Sequence, residues 1–173
     1  MTSGLRTFNV LFLCLHNSAR SILAEALLNR LGAGRFEAYS AGYAPTLMLS
    51  PYALDLLTQI HCNTARLAPK QMARVLGDND PGFDFIFRLS PDRRGGIRHS
   101  QFKGNPVVID WHLPDPADVT GAPAQVAAAY EDLFSVLAAR LDAFANLPVS
   151  ALESPHIAAR LERMGGDAFR LAS

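Results

Sequence analysis

Cysteine is scarce: Cys14 and Cys62 are the two in a chain of 173 residues. Two cysteines cannot build the disulfide framework of a small secreted domain, so any cysteine chemistry is catalytic or redox rather than structural. Long apolar runs are missing, since none approaches the roughly 20 residues that span a bilayer. The first residues, "MTSGLRTFNVLFLC", carry one arginine and no small-residue cleavage site, which argues against a secretory signal. A cytoplasmic location without membrane attachment is expected. Charge of one sign is missing too: sixteen basic side chains cancel sixteen acidic ones, so bulk charge points to neither nucleic acid nor an anionic membrane. Lysine supplies only two of those sixteen positive charges and arginine fourteen, a bias of composition. Neither His61 beside Cys62 nor the scattered His99, His112 and His156 has the spacing of a zinc site, so no metal is expected. The Gly-x-Gly of "GAGRFE" ends a helical pattern instead of opening one after a strand, which excludes a dinucleotide fingerprint. Internal repeats, low-complexity tracts and a linker are likewise lacking.

What is present reads as one globular domain. Hydrophobic residues make up 49% and charged residues 18% of the chain. "FNVLFL" (8–13) is a short, continuously apolar run that suits a buried parallel strand. From Ser18 the pattern turns helical, with Ile22, Ala26, Leu27 and Leu31 on one stripe and a glycine stop in "LGAGR". "RFEAYSAG" reads as a second strand. "SPYALDLLTQI" reads as a helix with Ser50 as N-cap and Pro51 at its first position. "APKQMARVLG" suggests a short helix, while "FDFIFRL" (83–89) and "NPVVIDW" (105–111) suggest two further strands. Between those strands lies a polar loop in which Arg88, Arg93, Arg94, Arg98 and Lys103 face only Asp92. Such a loop reads as a solvated surface, although its length also suits recruitment of an anionic co-substrate. A long helix is expected over 123–146, with Val126, Tyr130, Leu133, Leu137, Leu141 and Phe144 on its buried stripe. Residues 1–150 are expected to form the domain and 151–173 a helical tail packed on it. Alternating strands and helices imply an α/β fold with a mostly parallel sheet, whose ligands bind beyond the carboxyl ends of the strands.

Cys14 stands at such an end, in "CLHNSARS" (14–21). A C-x5-R match recurs by chance in an arginine-rich chain, but here it falls between a buried strand and a helix start. Unpaired backbone N–H groups and the positive end of a helix dipole converge there, which makes Leu15, His16, Asn17, Ser18, Ala19, Arg20 and Ser21 a candidate anion cradle. A thiol in that field is favoured as thiolate, so Cys14 is the candidate nucleophile. Arg20 offers a planar fork for two oxygens of a tetrahedral oxyanion. Asn17 tolerates a left-handed backbone, and Ser18 and Ser21 offer hydroxyls to the sulfur. Displacing a leaving group also needs a proton donor. Asp115, in the stiff segment "LPDPADVTG", is the candidate acid, the alternative being an ordinary turn aspartate.

"VLFLCLHNSARSILAEALLNRLG", "AYSAG" and "WHLPDPADVTG" together resemble the low-molecular-weight protein tyrosine phosphatase superfamily, and within it the arsenate reductase branch. The resemblance runs from about Phe8 to Pro148. It implies a single three-layer α/β domain of the phosphotyrosine protein phosphatase I type, with a four-stranded parallel sheet flanked by helices. It also implies Cys14 as nucleophile, Arg20 as oxyanion clamp and Asp115 as general acid, with Asn17 and Ser40 bracing the loop and Ser21 supporting the thiolate. Thioredoxin-coupled members carry two relay cysteines after the third strand. Ser90 and about Arg98 stand there in this chain, and Cys62 matches neither position. His16 replaces a common loop glycine, a change also seen in members that use a small external thiol. The resemblance therefore implies an arsenate reductase with no bound cofactor and an external thiol partner such as glutathione, mycothiol or glutaredoxin. The alternatives are a phosphomonoester hydrolase of the same fold and, more remotely, a non-catalytic oxyanion-binding regulatory module. The substrate in each case is a small oxyanion or a phosphomonoester.

Overall fold

A computed structural model describes residues 5–91 and 97–167. Strand β1 (Phe8–Cys14) leads through a tight loop into α1 (Arg20–Leu31), then β2 (Phe36–Gly42) and α2 (Pro51–Gln59). Strands β3 (Phe85–Arg88) and β4 (Val107–Asp110) follow, and then α3 (Pro123–Ala145), α4 (Val149–Leu152) and α5 (Ile157–Asp167). The sheet is wholly parallel in the order β2-β1-β3-β4, so β1 is central and the chain reverses its direction of travel across the sheet between β1 and β3. That reversal opens a crevice at the carboxyl ends of β1 and β3, the usual place for a ligand in an open parallel sheet.

The continuous apolar run of β1 follows from burial on both faces. Phe8, Val10, Phe12 and Cys14 point into a core shared with the α-helices, whereas Leu11 and Leu13 join Ile86, Phe83 and Phe102 on the other side. Phe87, Trp111 and Phe144 meet in the first core, with Phe87 and Phe144 edge to face at 5.2 Å between centroids. Burying an aromatic or Leu side chain of this kind stabilises the fold by about 1.5–3 kcal/mol. Among the described residues the second face is covered by 3₁₀ turns at Met72–Arg74 and His99–Gln101 and the segments around them, and the α-helices pack on the first. The short helix expected over 68–77 is instead an extended stretch that bridges Gly42 at Gln71, followed by that first turn. The pairing with β2 draws Lys70 and Gln71 straight and overrides their helical propensity.

Three other expectations are corrected in detail. The loop holds Ser18, so α1 begins two residues later, at Arg20. Leu31, expected on the buried stripe, is 40% exposed because it is the last helical residue before the Gly32 cap. Ser50 occupies the N-cap position of α2, but its hydroxyl caps nothing. Its N–H bonds the Ser18 carbonyl at 3.0 Å, and that tie sets how the chain enters the helix. Later in the chain α5 packs on β4, with Trp111 Nε1 donating to the Leu161 carbonyl at 2.7 Å. Arg140 lies over the same indole and donates to the Gly165 carbonyl. Residues 92–96 of the basic loop, Arg93 and Arg94 among them, lie outside the described residues. Arg88 is drawn into a two-bond pair with Asp110 at 2.6 and 2.7 Å.

Candidate active site

The loop from Cys14 to Arg20 is shaped from outside by the strap that follows β2. The carbonyls of Cys14, Leu15, His16 and Ser18 accept from the N–H groups of Tyr43, Ala44, Thr46 and Ser50, at 2.8 to 3.2 Å. With these carbonyls turned outward, the loop's N–H groups turn inward, where an anion would sit. Asn17 makes the sharpest bend at φ 47°, a left-handed conformation that asparagine accepts more readily than most residues. Gly42 closes the fit from the side. A Cβ there would lie 2.9 Å from Asn17 Cβ and 3.0 Å from the Leu15 carbonyl oxygen, so only glycine lets β2 end against the loop.

Cys14 is buried at the loop's floor. Its Sγ lies 2.9 Å from Ser21 Oγ and accepts the Asn17 N–H at 3.3 Å. The Ser18 hydroxyl, also expected at the sulfur, has no described contact with it. Behind the sulfur runs a chain of polar groups. Asn17 Nδ2 donates to Ser21 Oγ at 2.7 Å and to Ser40 Oγ at 3.0 Å, and Ser40 Oγ donates to Glu25. Lys70 completes it: its N–H donates to Asn17 Oδ1 at 2.7 Å, and its Nζ lies 3.5 Å from Glu25 Oε2. Burial raises the Glu25 carboxyl above its ordinary pKa, and Lys70 and the Ser40 hydroxyl act against that rise.

Asp115 arrives from the far side of the sheet, after β4. Its Oδ1 accepts the Ala117 N–H at 3.0 Å, which fixes the turn at Pro116–Asp118. Its Oδ2 accepts from Arg20 Nη2 at 2.7 Å and stands 3.5 Å from His16 Nδ1. Arg20 Nη1 donates to the Leu113 carbonyl at 3.0 Å. Arg20, 5% exposed, thus spends two N–H groups tying the 113–115 segment to the loop, and an oxyanion would share or displace those contacts. Cys14, Arg20, Asp115, Asn17, Ser21 and Ser40 therefore converge. Cys62 follows α2, partly buried against the first core, and has no described bond to the site; both cysteines are free.

Two cavities bear on this region differently. One of about 400 Å³, mostly apolar, lies between Asp115, Pro116 and Val119 and the face of α3 around Leu133 and Val136. The larger, about 490 Å³, lies beside Arg6, Asp84 and Lys103. It touches the first residues of β1, β3 and β4 and so sits at the opposite end of the sheet from Cys14. Among the described residues no group of three or more His, Cys, Asp or Glu side chains is placed to hold a metal ion. Among them, too, no helix is long and apolar enough to cross a membrane.

Sequence reasoning missed Glu25, Lys70, Gly42 and the strap at 43–50. A signal for the first existed: Asn17, Ser21, Glu25 and Asn29 recur at four-residue spacing among apolar neighbours, which is a polar stripe on a buried helix.

Residues 9–148 match the model of the low molecular weight phosphotyrosine protein phosphatase family. No curated protein sequence matches the chain. Among solved structures the chain is similar to the arsenate reductase of Archaeoglobus fulgidus DSM 4304. The two are 25% identical with a TM-score of 0.62, over 80% of this chain and 99% of that one. It is also similar to YfkJ of Bacillus subtilis, at 23% identity and a TM-score of 0.56, over 80% and 97%. A thioredoxin-dependent arsenate reductase of Corynebacterium glutamicum matches at 22% identity and a TM-score of 0.54, over 79% of this chain and 60% of that one. At these last two identities the likeness is one of fold.

Proposed function

Because the chain belongs to the low molecular weight phosphotyrosine protein phosphatase family, we propose that it is a cysteine-dependent oxyanion enzyme, an arsenate reductase regenerated by an external thiol. The observation that carries this reading is the sulfur's setting. Cys14 Sγ lies on the floor of an N–H-lined loop against Ser21 Oγ, and the Arg20–Asp115 pair joins that loop to the end of β4. In the reading, Cys14 attacks the arsenic of arsenate, the inward N–H groups and Arg20 hold its oxygens, and Asp115 protonates the departing oxygen. Asn17, Ser21 and Ser40 keep the loop in shape. The external thiol then attacks Cys14 Sγ. The sulfur–arsenic bond breaks with its electron pair on arsenic, arsenite leaves, and Cys14 and the thiol are oxidised together to a mixed disulfide. A second thiol reduces that disulfide. Glutathione, mycothiol or a glutaredoxin fits the role, because Ser90 and about Arg98 stand where relay cysteines would be and Cys62, which is free, matches neither position. The natural setting would be the cytoplasm.

Hydrolysis of a phosphomonoester is a second reading. It is favoured by the same three side chains, which suffice when water instead of a thiol resolves the Cys14 adduct. Arsenate reduction with glutathione, mycothiol and thioredoxin systems in parallel, beside hydrolysis of p-nitrophenyl phosphate, separates the two. The expected result is thiol-dependent arsenite release that Cys14→Ser abolishes, little support from thioredoxin alone, and a mixed disulfide on Cys14 by mass spectrometry after one turnover. A Cys14–Cys62 disulfide would refute the external-thiol route. Aryl phosphate hydrolysis without arsenite formation would favour the second reading.

A further inference from the structure

The loop places one side chain that the scheme above leaves idle. His16 lies two residues after the nucleophile, its imidazole 40% exposed at the mouth of the cradle. Its Nδ1 faces the same Asp115 oxygen that Arg20 holds, at 3.5 Å. Its own carbonyl is turned outward to the Thr46 N–H, so the backbone at this position is committed to the strap while the side chain is left at the opening. Among the described residues, Asp115 and, through it, Arg20 are the charged groups beside the ring. A carboxylate beside Nδ1 favours the proton on that nitrogen, which leaves Nε2 as the atom that accepts one.

We propose that His16 is the base of the second half-reaction, taking through Nε2 the proton of the thiol that attacks the Cys14 adduct. The inference rests on the external-thiol reading. Most free thiols are largely protonated near neutral pH, and the thiolate is the attacking species. As the thiol sulfur bonds to Cys14 Sγ, its proton passes to His16 Nε2. The electron pair of the broken sulfur–arsenic bond leaves with arsenite, and the imidazolium later returns its proton to solvent. Asp115 serves both halves: it gives a proton to the departing oxygen in the first, and as the resulting carboxylate it faces the imidazolium in the second.

The test compares wild type, His16→Ala and His16→Gln in arsenite release, with trifluoroethanethiol, glutathione and 2-mercaptoethanol as thiols of rising pKa. Both variants are expected to lose about 10²-fold with 2-mercaptoethanol, the low end of what a positioned base supplies, and far less with trifluoroethanethiol. Added imidazole should restore His16→Ala saturably with 2-mercaptoethanol. A merely structural role would move neither the ranking of thiols nor the response to imidazole. Equal losses with all three thiols, no loss, or no rescue would overturn the assignment of His16 alone. Absence of thiol-dependent arsenite from wild type would overturn the external-thiol reading and this inference with it.

Discussion

Asn17 carries more of the site's geometry than any other single residue, and its replacement separates backbone from side-chain contributions. The side chain makes three hydrogen bonds to groups in or beside the core, to Ser21 Oγ, Ser40 Oγ and the Lys70 N–H. Each such bond contributes about 0.5–1.5 kcal/mol, and leaving the partners unsatisfied pushes the loss upward. Asn17→Ala therefore removes about 2–4 kcal/mol of hydrogen bonding. The backbone adds to this: at φ 47° a Cβ without a compensating polar group costs about 1–2 kcal/mol more. The total for Asn17→Ala is about 3–6 kcal/mol. Asn17→Gly loses the same bonds without the backbone penalty, offset in part by its freer unfolded chain, and should be milder by about 1 kcal/mol. Urea unfolding of the two variants measures the difference directly. Turnover should fall by about 10² or more in both, because a displacement near 1 Å at a nucleophile has that effect. If Asn17→Ala stays within about 1 kcal/mol of wild type, or if alanine and glycine prove equal, the polar chain does not hold the loop and this reasoning is wrong.

Glu25→Gln should change how stability depends on pH. Burial raises the Glu25 carboxyl, so the folded state binds that proton more tightly than the unfolded one. The stability it contributes is full below the unfolded pKa and is lost as pH rises through the folded value. Wild type should therefore lose more stability than Glu25→Gln between mildly acidic and neutral pH, and parallel unfolding curves across that range would refute it. In α5, two adjacent glycines should respond with opposite signs. Gly165→Ala puts a Cβ 2.4 Å from Trp111 Cδ1 and should destabilise by about 1–3 kcal/mol. Gly166→Ala meets nothing within 4 Å and should stabilise by up to about 1 kcal/mol through helix propensity, both read as shifts in thermal melting.

The elements that could be read from sequence are those whose cause is local. "FNVLFL" is a buried strand because both faces of β1 are covered, and the stripe Tyr130–Leu133–Leu137–Leu141–Phe144 is buried in α3 as its spacing requires. The loop from Cys14 to Arg20 was legible for a similar reason, because a cysteine between an apolar strand and a helix start leaves the backbone donors few places to point. Lys70 and Gln71 were misread because their conformation is set by pairing with Gly42, far away in sequence. Ser50 was half-legible: its place at the helix start is local, whereas the tie of its N–H to the distant Ser18 carbonyl is not.

The same distinction explains what was hidden in the site. Asp115 was visible as a carboxylate in a stiff segment, but nothing near it in sequence says that Oδ2 faces both Arg20 and His16 while Oδ1 holds the Ala117 N–H. That division of labour arises from β4 ending two strands away from β1, with Arg20 reaching across to the Leu113 carbonyl. Lys70 offered a subtler clue. In a chain that uses arginine for fourteen of sixteen positive charges, a lysine at a partly buried position calls for a reason. Lys70 Nζ serves two acceptors, Glu25 Oε2 at 3.5 Å and the Ala68 carbonyl at 2.9 Å. A compact ammonium with rotatable donors suits that small space better than a broad planar guanidinium. Lys70, one of the two residues that run against the chain's own bias, closes the polar chain behind Cys14.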